Sequence, residues 1–148
     1  MNNNYYTHKV AVIAYILKGD KFLFLKRNTE PLIWAPPGGR LKQDENPEAG
    51  LKREIKEETN LEIKIVAPVN TWFGNWKGKP LLSLDYLVKV VGGELRLSWE
   101  HADALWVSLE DLRKGKPIAL DKRLGFRLSD FENAQRLINL LQNANYRI

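Results

Sequence analysis

Gly38-Gly39-Arg40-Leu41-Lys42-Gln43-Asp44-Glu45-Asn46-Pro47-Glu48-Ala49-Gly50-Leu51-Lys52-Arg53-Glu54-Ile55-Lys56-Glu57-Glu58-Thr59-Asn60-Leu61 is the segment on which the reading of this chain turns. Its second half predicts a helix from about Pro47 to Thr59. Asn46 suits the N-cap, and Pro47 suits the first helical position, where its missing amide would be unpaired anyway. Asn60 suits the closing position because asparagine tolerates left-handed backbone. A helix turns about 100° per residue, so Glu54, Glu57 and Glu58 share one face. Like charges at that spacing cost a few tenths of a kcal/mol per pair unless something positive neutralises them. Two readings fit. One is a solvated face paired with Lys52, Arg53 and Lys56; the other is a site for a hard cation such as magnesium, which takes oxygen ligands. No histidine or cysteine lies in the segment, which disfavours zinc. Gly38 and Gly39 predict a turn where backbone can approach a metal or phosphate closely. Glu45 is placed to reach back to Arg53 and lock the loop to the helix.

The segment resembles the Nudix box, G-x5-E-x7-R-E-U-x-E-E-x-G-U with U aliphatic. Gly39, Glu45, Arg53-Glu54-Ile55, Glu57-Glu58 and Leu61 fill its defined positions. Asn60 stands where the box has glycine, a mild change because both residues tolerate a left-handed helix end. Trp34-Ala35-Pro36-Pro37-Gly38-Gly39 is similar to the family's W-x-x-P-G-G approach, and His101 to Leu112 is similar to its late segment. The resemblance covers roughly Val10 to Leu112 and implies an α/β/α sandwich. It also implies hydrolysis of a diphosphate bond in a nucleoside diphosphate linked to another group, by water and with divalent metal, Mg2+ or Mn2+. Glu57 and Glu58 become core metal ligands and Glu54 a further ligand or general base. Arg53 becomes their orienting partner, with Glu45 behind it, and the Gly39 carbonyl a metal contact. Glu100 matches a place where some members carry an extra metal-binding or basic glutamate; an ordinary loop carboxylate is the competing reading.

Outward from the box, Val10–Leu17 and Phe22–Lys26 read as strands of a hairpin across Lys18–Lys21. Glu30–Gly39, with three prolines and two glycines, reads as a loop. Leu61–Ala67 alternates as a half-buried strand does. Leu81–Val91 and Glu94–Ser98 read as a hairpin across Gly92-Gly93. Leu105–Val107 is a short apolar segment, and Ser108 opens a short helix. Ser129-Asp130-Phe131-Glu132 has capping-box form and opens a last helix to about Asn143. Strands, helix, strands and then helices predict an α+β or mixed α/β fold with helices packed on a mixed sheet.

At 148 residues, with 44% hydrophobic and 28% charged residues, the chain predicts one globular domain over 1–148. No apolar run approaches the roughly 18 residues of a membrane span, and Met1–Tyr5 lacks the basic-then-apolar order of a secretory signal. The expected setting is cytoplasmic. The absence of cysteine excludes disulfides and thiolate zinc sites. A net charge of +5 attracts nucleic acid and small phosphorylated substrates alike, and because it is spread without a basic block it reads as a soluble basic surface before dedicated nucleic-acid binding. A homodimer is compatible with the sequence.

Arg27 is a candidate phosphate contact or a plain surface arginine. Trp72, Phe73 and Trp76 surround Gly74 in a predicted loop, as base-stacking faces or edge packing. His101 is a candidate base, though a surface or core histidine fits better, and Trp34 reads as structural. The segment Glu62–Lys79 lacks the S-Q-P-W-P-F-P-x-S marker of NADH-cleaving members, and Phe22–Arg27 matches the coenzyme A marker poorly. Pro80 fits the ADP-ribose marker loosely, and Tyr86 lies too far along for the dinucleoside polyphosphate class. What remains resembles the MutT-like group, which cleaves nucleoside triphosphates to monophosphates. ADP-ribose or a nucleotide sugar is the alternative substrate. A non-catalytic nucleotide- or RNA-binding module is a third reading, opposed by the complete set of box carboxylates.

Overall fold

The computed structural model describes residues 6–148. Met1–Tyr5, read above for the lack of a secretory signal, lies outside the described residues. The first apolar runs form β1 (Lys9–Lys18) and β2 (Lys21–Arg27), turning at Gly19 with φ +63°. These two strands pair only at their hairpin end, Leu17 with Phe22 and Lys18 with Lys21. Beyond that they diverge, and the chain fills the gap itself. β3 (Trp34–Ala35) pairs with β2, and β4 (Gly38–Arg40) pairs with Ala11–Ile13 of β1. The segment predicted as one loop, Glu30–Gly39, thus contains a short strand and the start of another. Gly38 and Gly39 belong to a strand instead of a turn, because β1 offers them backbone partners after β2 has peeled away.

After the helix α1 (Pro47–Thr59) come β5 (Glu62–Trp76) and β6 (Lys79–Gly92), a long antiparallel pair. β6 also runs parallel to β1 from Lys9–Leu81 to Leu17–Lys89. β7 (His101–Ser108) pairs antiparallel with β2. The result is a mixed seven-stranded sheet. α1 covers one face; α2 (Leu109–Lys114) and α3 (Leu128–Asn143) cover the other.

Strand alternation divides the core between the two faces. Val12, Ala14 and Ile16 of β1 pack with Leu51 and Ile55 of α1. Tyr15 and Leu17 pack with Phe131, Ala134 and Ile138 of α3. Phe131 is the centre of this second layer, with its ring 4.8 Å from Tyr15, 5.6 Å from Phe22 and 5.2 Å from Phe24. The expected α/β/α arrangement is therefore present.

α1 has the predicted bounds. Asn46 accepts hydrogen bonds from the amides of Glu48 and Ala49 at 2.9 and 3.1 Å, and Asn60 adopts φ 64°. Three other expectations need correction. β5 extends through Trp76, so Trp72, Phe73 and Trp76 lie on a strand and the turn falls at Lys77-Gly78. Pairing with β6 along the whole length satisfies that backbone, which the strand signal ending at Ala67 did not foresee. Glu94–Ser98 forms no strand. Gly93, at φ +82°, turns the chain toward the end of α1, where Arg96 and Ser98 donate to the carbonyls of Thr59 and Glu58 at 2.9 and 3.2 Å. Free carbonyls at a helix end compete here with a sheet edge. Finally, α3 starts at Leu128 with Arg127 at its N-cap, two residues ahead of the predicted Ser129 cap; the Asp130 carboxylate accepts the Arg127 amide at 2.9 Å. Among the described residues no helix is long and apolar enough to cross a membrane.

Truncating Phe131 to alanine is expected to cost about 3–5 kcal/mol, against about 1 kcal/mol for Asn46→Ala. Urea unfolding measures both. A Phe131→Ala loss no larger than that of the cap would contradict its place at the centre of the layer.

Candidate active site

α1 carries its glutamates toward the gap where β1 and β2 part. Arg53 gathers the surrounding charges. It donates two hydrogen bonds to Glu45, Nε to Oε2 at 2.7 Å and Nη2 to Oε1 at 2.8 Å. This fork is the strong geometry for a guanidinium and a carboxylate. Its Nη1 reaches Glu54 at 3.1 Å and Glu57 at 3.2 Å. Glu45 also accepts the Lys42 amide at 3.0 Å. The Arg53 hydrogen bonds, then that amide, hold the Glu45 carboxyl down to about 2. The loop-to-helix lock expected from the spacing is thus formed.

Gly39 faces Glu54 so closely that a Cβ there would collide with the Glu54 carboxylate. The φ of Gly39 is unexceptional, so what glycine provides here is room: a Cβ would push the Glu54 carboxylate from its place beside Arg53. Glu58 lies deeper, 2% exposed, with Oε2 lacking any hydrogen-bond partner. Burial first, and then the charges of Glu54 and Glu100, push its carboxyl well above the usual carboxylate range; the Gly38 amide opposes the shift. His101 stands beside it, Nε2 at 3.7 Å from Glu58 Oε2, too far for a hydrogen bond. Its Nδ1 is also buried and unpartnered. Burial, and then the charge of nearby Arg27, lower the His101 pKa, which favours the neutral ring over an ion pair with Glu58.

These groups line one end of a cleft of about 400 Å³. Glu54, Glu57, Glu58, Glu100 and Gly39 are all on its wall. Glu100 arrives from the turn before β7, held where its carbonyl accepts the Asn28 amide at 2.9 Å. Among the described residues no three carboxylate or imidazole groups already converge as an ion cage, since Glu54 and Glu57 are turned onto Arg53. The donor set nevertheless fits a hard divalent cation. It is all oxygen, one buried oxygen is unpartnered, and the glycine leaves the backbone accessible.

Arg27, Trp72 and Trp76 line the same cleft. The Arg27 guanidinium lies 5.6 Å from the Trp76 ring centroid, with Lys77 5.5 Å from the same ring. Phe73 is not brought to the site. Strand alternation turns it away from Trp72, and it is 65% exposed, against His8 at 5.6 Å. Trp34 packs against the core, as its structural reading implied. The sequence reading missed the far end of the cleft, made by Ile13, Ser83, Asp85, Phe126, Arg127 and Asp130. One signal was available: Asp85 interrupts an otherwise mostly apolar strand.

A family model described as the NUDIX domain matches residues 7–126. The chain belongs to the NUDIX family. It is a hydrolase of pyrophosphate bonds, in a family that generally uses divalent metal. This NUDIX chain is similar to a MutT-like protein of Streptomyces ambofaciens, 29% identical over 105 residues, 71% of this chain and 67% of the relative. It is also similar to an ADP-ribose pyrophosphatase of Methanocaldococcus jannaschii, 32% identical over 109 residues, 71% of this chain and 64% of the relative. The aligned region thus spans about two thirds of the length of each relative. Among solved structures, a MutT protein from Methanosarcina mazei superposes with a TM-score of 0.72 at 26% identity, covering 86% of this chain and 93% of that one.

The raised pKa of Glu58 gives a signed prediction. A carboxyl whose folded pKa is raised favours the fold most below its unfolded pKa, and that contribution is lost as pH rises through the folded value. Without divalent metal, the melting temperature of the wild type should therefore fall more steeply from pH 5 to pH 9 than that of Glu58→Gln. Parallel curves for the two proteins would show that Glu58 is not the titrating group.

Proposed function

We propose that this NUDIX hydrolase is a MutT-type enzyme that converts nucleoside triphosphates to monophosphates and pyrophosphate with Mg2+. The observation that carries this reading is the lining of the cleft. Four glutamates share it with the rings of Trp72, Trp76 and Phe126. A nucleotide brings parts that match both, charged phosphates and a flat base. Similarity to MutT-like and MutT proteins supports the triphosphate class. The M. jannaschii relative makes ADP-ribose the alternative, and Pro80 is a loose fit to the same class.

In this reading Glu57 and Glu58 hold the metal, with Glu54, Glu100 and the Gly39 carbonyl as further oxygen donors. A bound divalent ion would neutralise charge on the phosphate oxygens and lower the pKa of water. Arg53 restrains Glu54 and Glu57, which limits the directions they can take toward the cleft. Glu58, with its unpartnered oxygen, would serve as a ligand in its ionised form. Glu54 or Glu100 takes the proton of the attacking water. Arg27 offers its guanidinium to the phosphates, and Trp72 and Trp76 present ring faces to the rest of the substrate. Charge-assisted contacts of this kind orient a phosphate without covalent chemistry.

Glu57→Gln and Glu58→Gln should each lower Mg2+-dependent kcat/KM at least about 100-fold, the upper end of what losing a mere supporting group costs. Steady-state rates on a panel of nucleoside triphosphates, ADP-ribose and nucleotide sugars check both the assignment and the substrate class. Near-normal rates in both variants would remove these residues from the metal site. Greater wild-type kcat/KM on ADP-ribose than on every triphosphate would replace the MutT-type reading.

A further inference from the structure

The far end of the cleft holds a carboxyl group that diphosphate chemistry does not use. Asp85 lies mid-strand in β6, 3% exposed, yet it lines the cleft. Its Oδ2 accepts the Tyr15 hydroxyl at 2.7 Å, and its Oδ1 accepts the Ser83 hydroxyl. Both partners are neutral, and the charge that bears on Asp85 is another carboxylate, Asp130. A carboxylate has about four lone-pair sites, and two are filled here. Leaving the others unpaired in a buried place is unfavourable, so the site suits a ligand that brings N–H donors.

The shape narrows the ligand further. Ile13, Trp72 and Phe126 give this end apolar walls suited to a flat ring. The backbone also sets its distance from the phosphate end. Asp85 pairs with Ile13, and Ile13 with Gly38, so Asp85 and Gly38 are two strand spacings apart, about 10 Å. The Gly38 amide in turn bonds Glu58. The acceptor and the residue whose amide bonds Glu58 therefore lie on one row of the sheet, with Ile13 between them.

Resting on the nucleotide reading above, we infer that Asp85 is the residue that determines base specificity, accepting hydrogen bonds from a base edge that presents a ring N–H beside an amino group. Guanine has that edge. Adenine and cytosine set an acceptor nitrogen beside their amino group, and uracil flanks its N–H with two carbonyls; each turns a lone pair toward the carboxylate. Burial lifts Asp85 to about 6, so at pH 7.5 it is ionised and only accepts.

The test is binding of GMP, IMP, AMP, UMP and CMP to the full chain, read by calorimetry at pH 7.5 with Mg2+. IMP differs from GMP only by the amino group. GMP should bind about 10-fold tighter than IMP or more, as expected for a hydrogen bond to a charged acceptor. Asp85→Asn should bring that ratio close to one. Tyr15→Phe, which keeps the carboxylate, should retain a preference for GMP. Equal wild-type affinity for GMP and IMP, or an unchanged ratio in Asp85→Asn, would overturn the inference. If Asp85→Asn does not fold, the wild-type ratio decides alone. Hydrolysis of GTP, ITP and ADP-ribose is followed in parallel. Turnover without base preference overturns the role of Asp85 only, whereas absence of all turnover overturns the proposed function and leaves the binding ratio to judge Asp85.

Discussion

One guanidinium restrains the carboxylate end of the cleft. Glu54, Glu57 and Glu58 share a helix face, and Glu100 adds a fourth negative group from the turn before β7. Left alone, such groups repel and turn outward to water. Arg53 binds two of them and is itself pinned by the fork to Glu45. It compensates part of the charge and leaves Glu58 buried with an unpartnered oxygen. The cluster is therefore incomplete electrostatically while being fixed geometrically, a state that suits capture of a cation better than internal pairing.

The parts of this arrangement set by short-range chemistry were legible in the sequence. The helix bounds follow from Asn46, Pro47 and Asn60, and the shared face follows from helical spacing. The Glu45–Arg53 lock could be read because both residues lie at the ends of one short connection. Of the two further segments that resemble the family, Trp34-Ala35 and Trp106-Val107 pair with β2, while Gly38-Gly39 pair with β1.

What escaped was set by partners distant in the chain. β5 continues through Trp76 because β6 pairs with it throughout, and neither strand announces that length by itself. Glu94–Ser98 had the local look of a strand, but the carbonyls at the end of α1 claimed its amides. Phe73 looked equivalent to Trp72 and Trp76 until the register fixed which face each side chain takes. Asp85 could be noticed as a charge in an apolar strand, but only the fold shows that Tyr15 and Ser83 support it.

The early parting of β1 and β2 has a wider consequence. The carboxylate end hangs on α1, anchored by Leu51 and Ile55 in one core layer. The opposite end is built from β6 and the start of α3, anchored by Phe131 in the other layer. The two ends share β1 and β6, whose alternate side chains enter opposite layers. A change that turns outward from one layer therefore leaves the packing of the other in place, so the two ends can vary in sequence separately while the same two strands hold them in register.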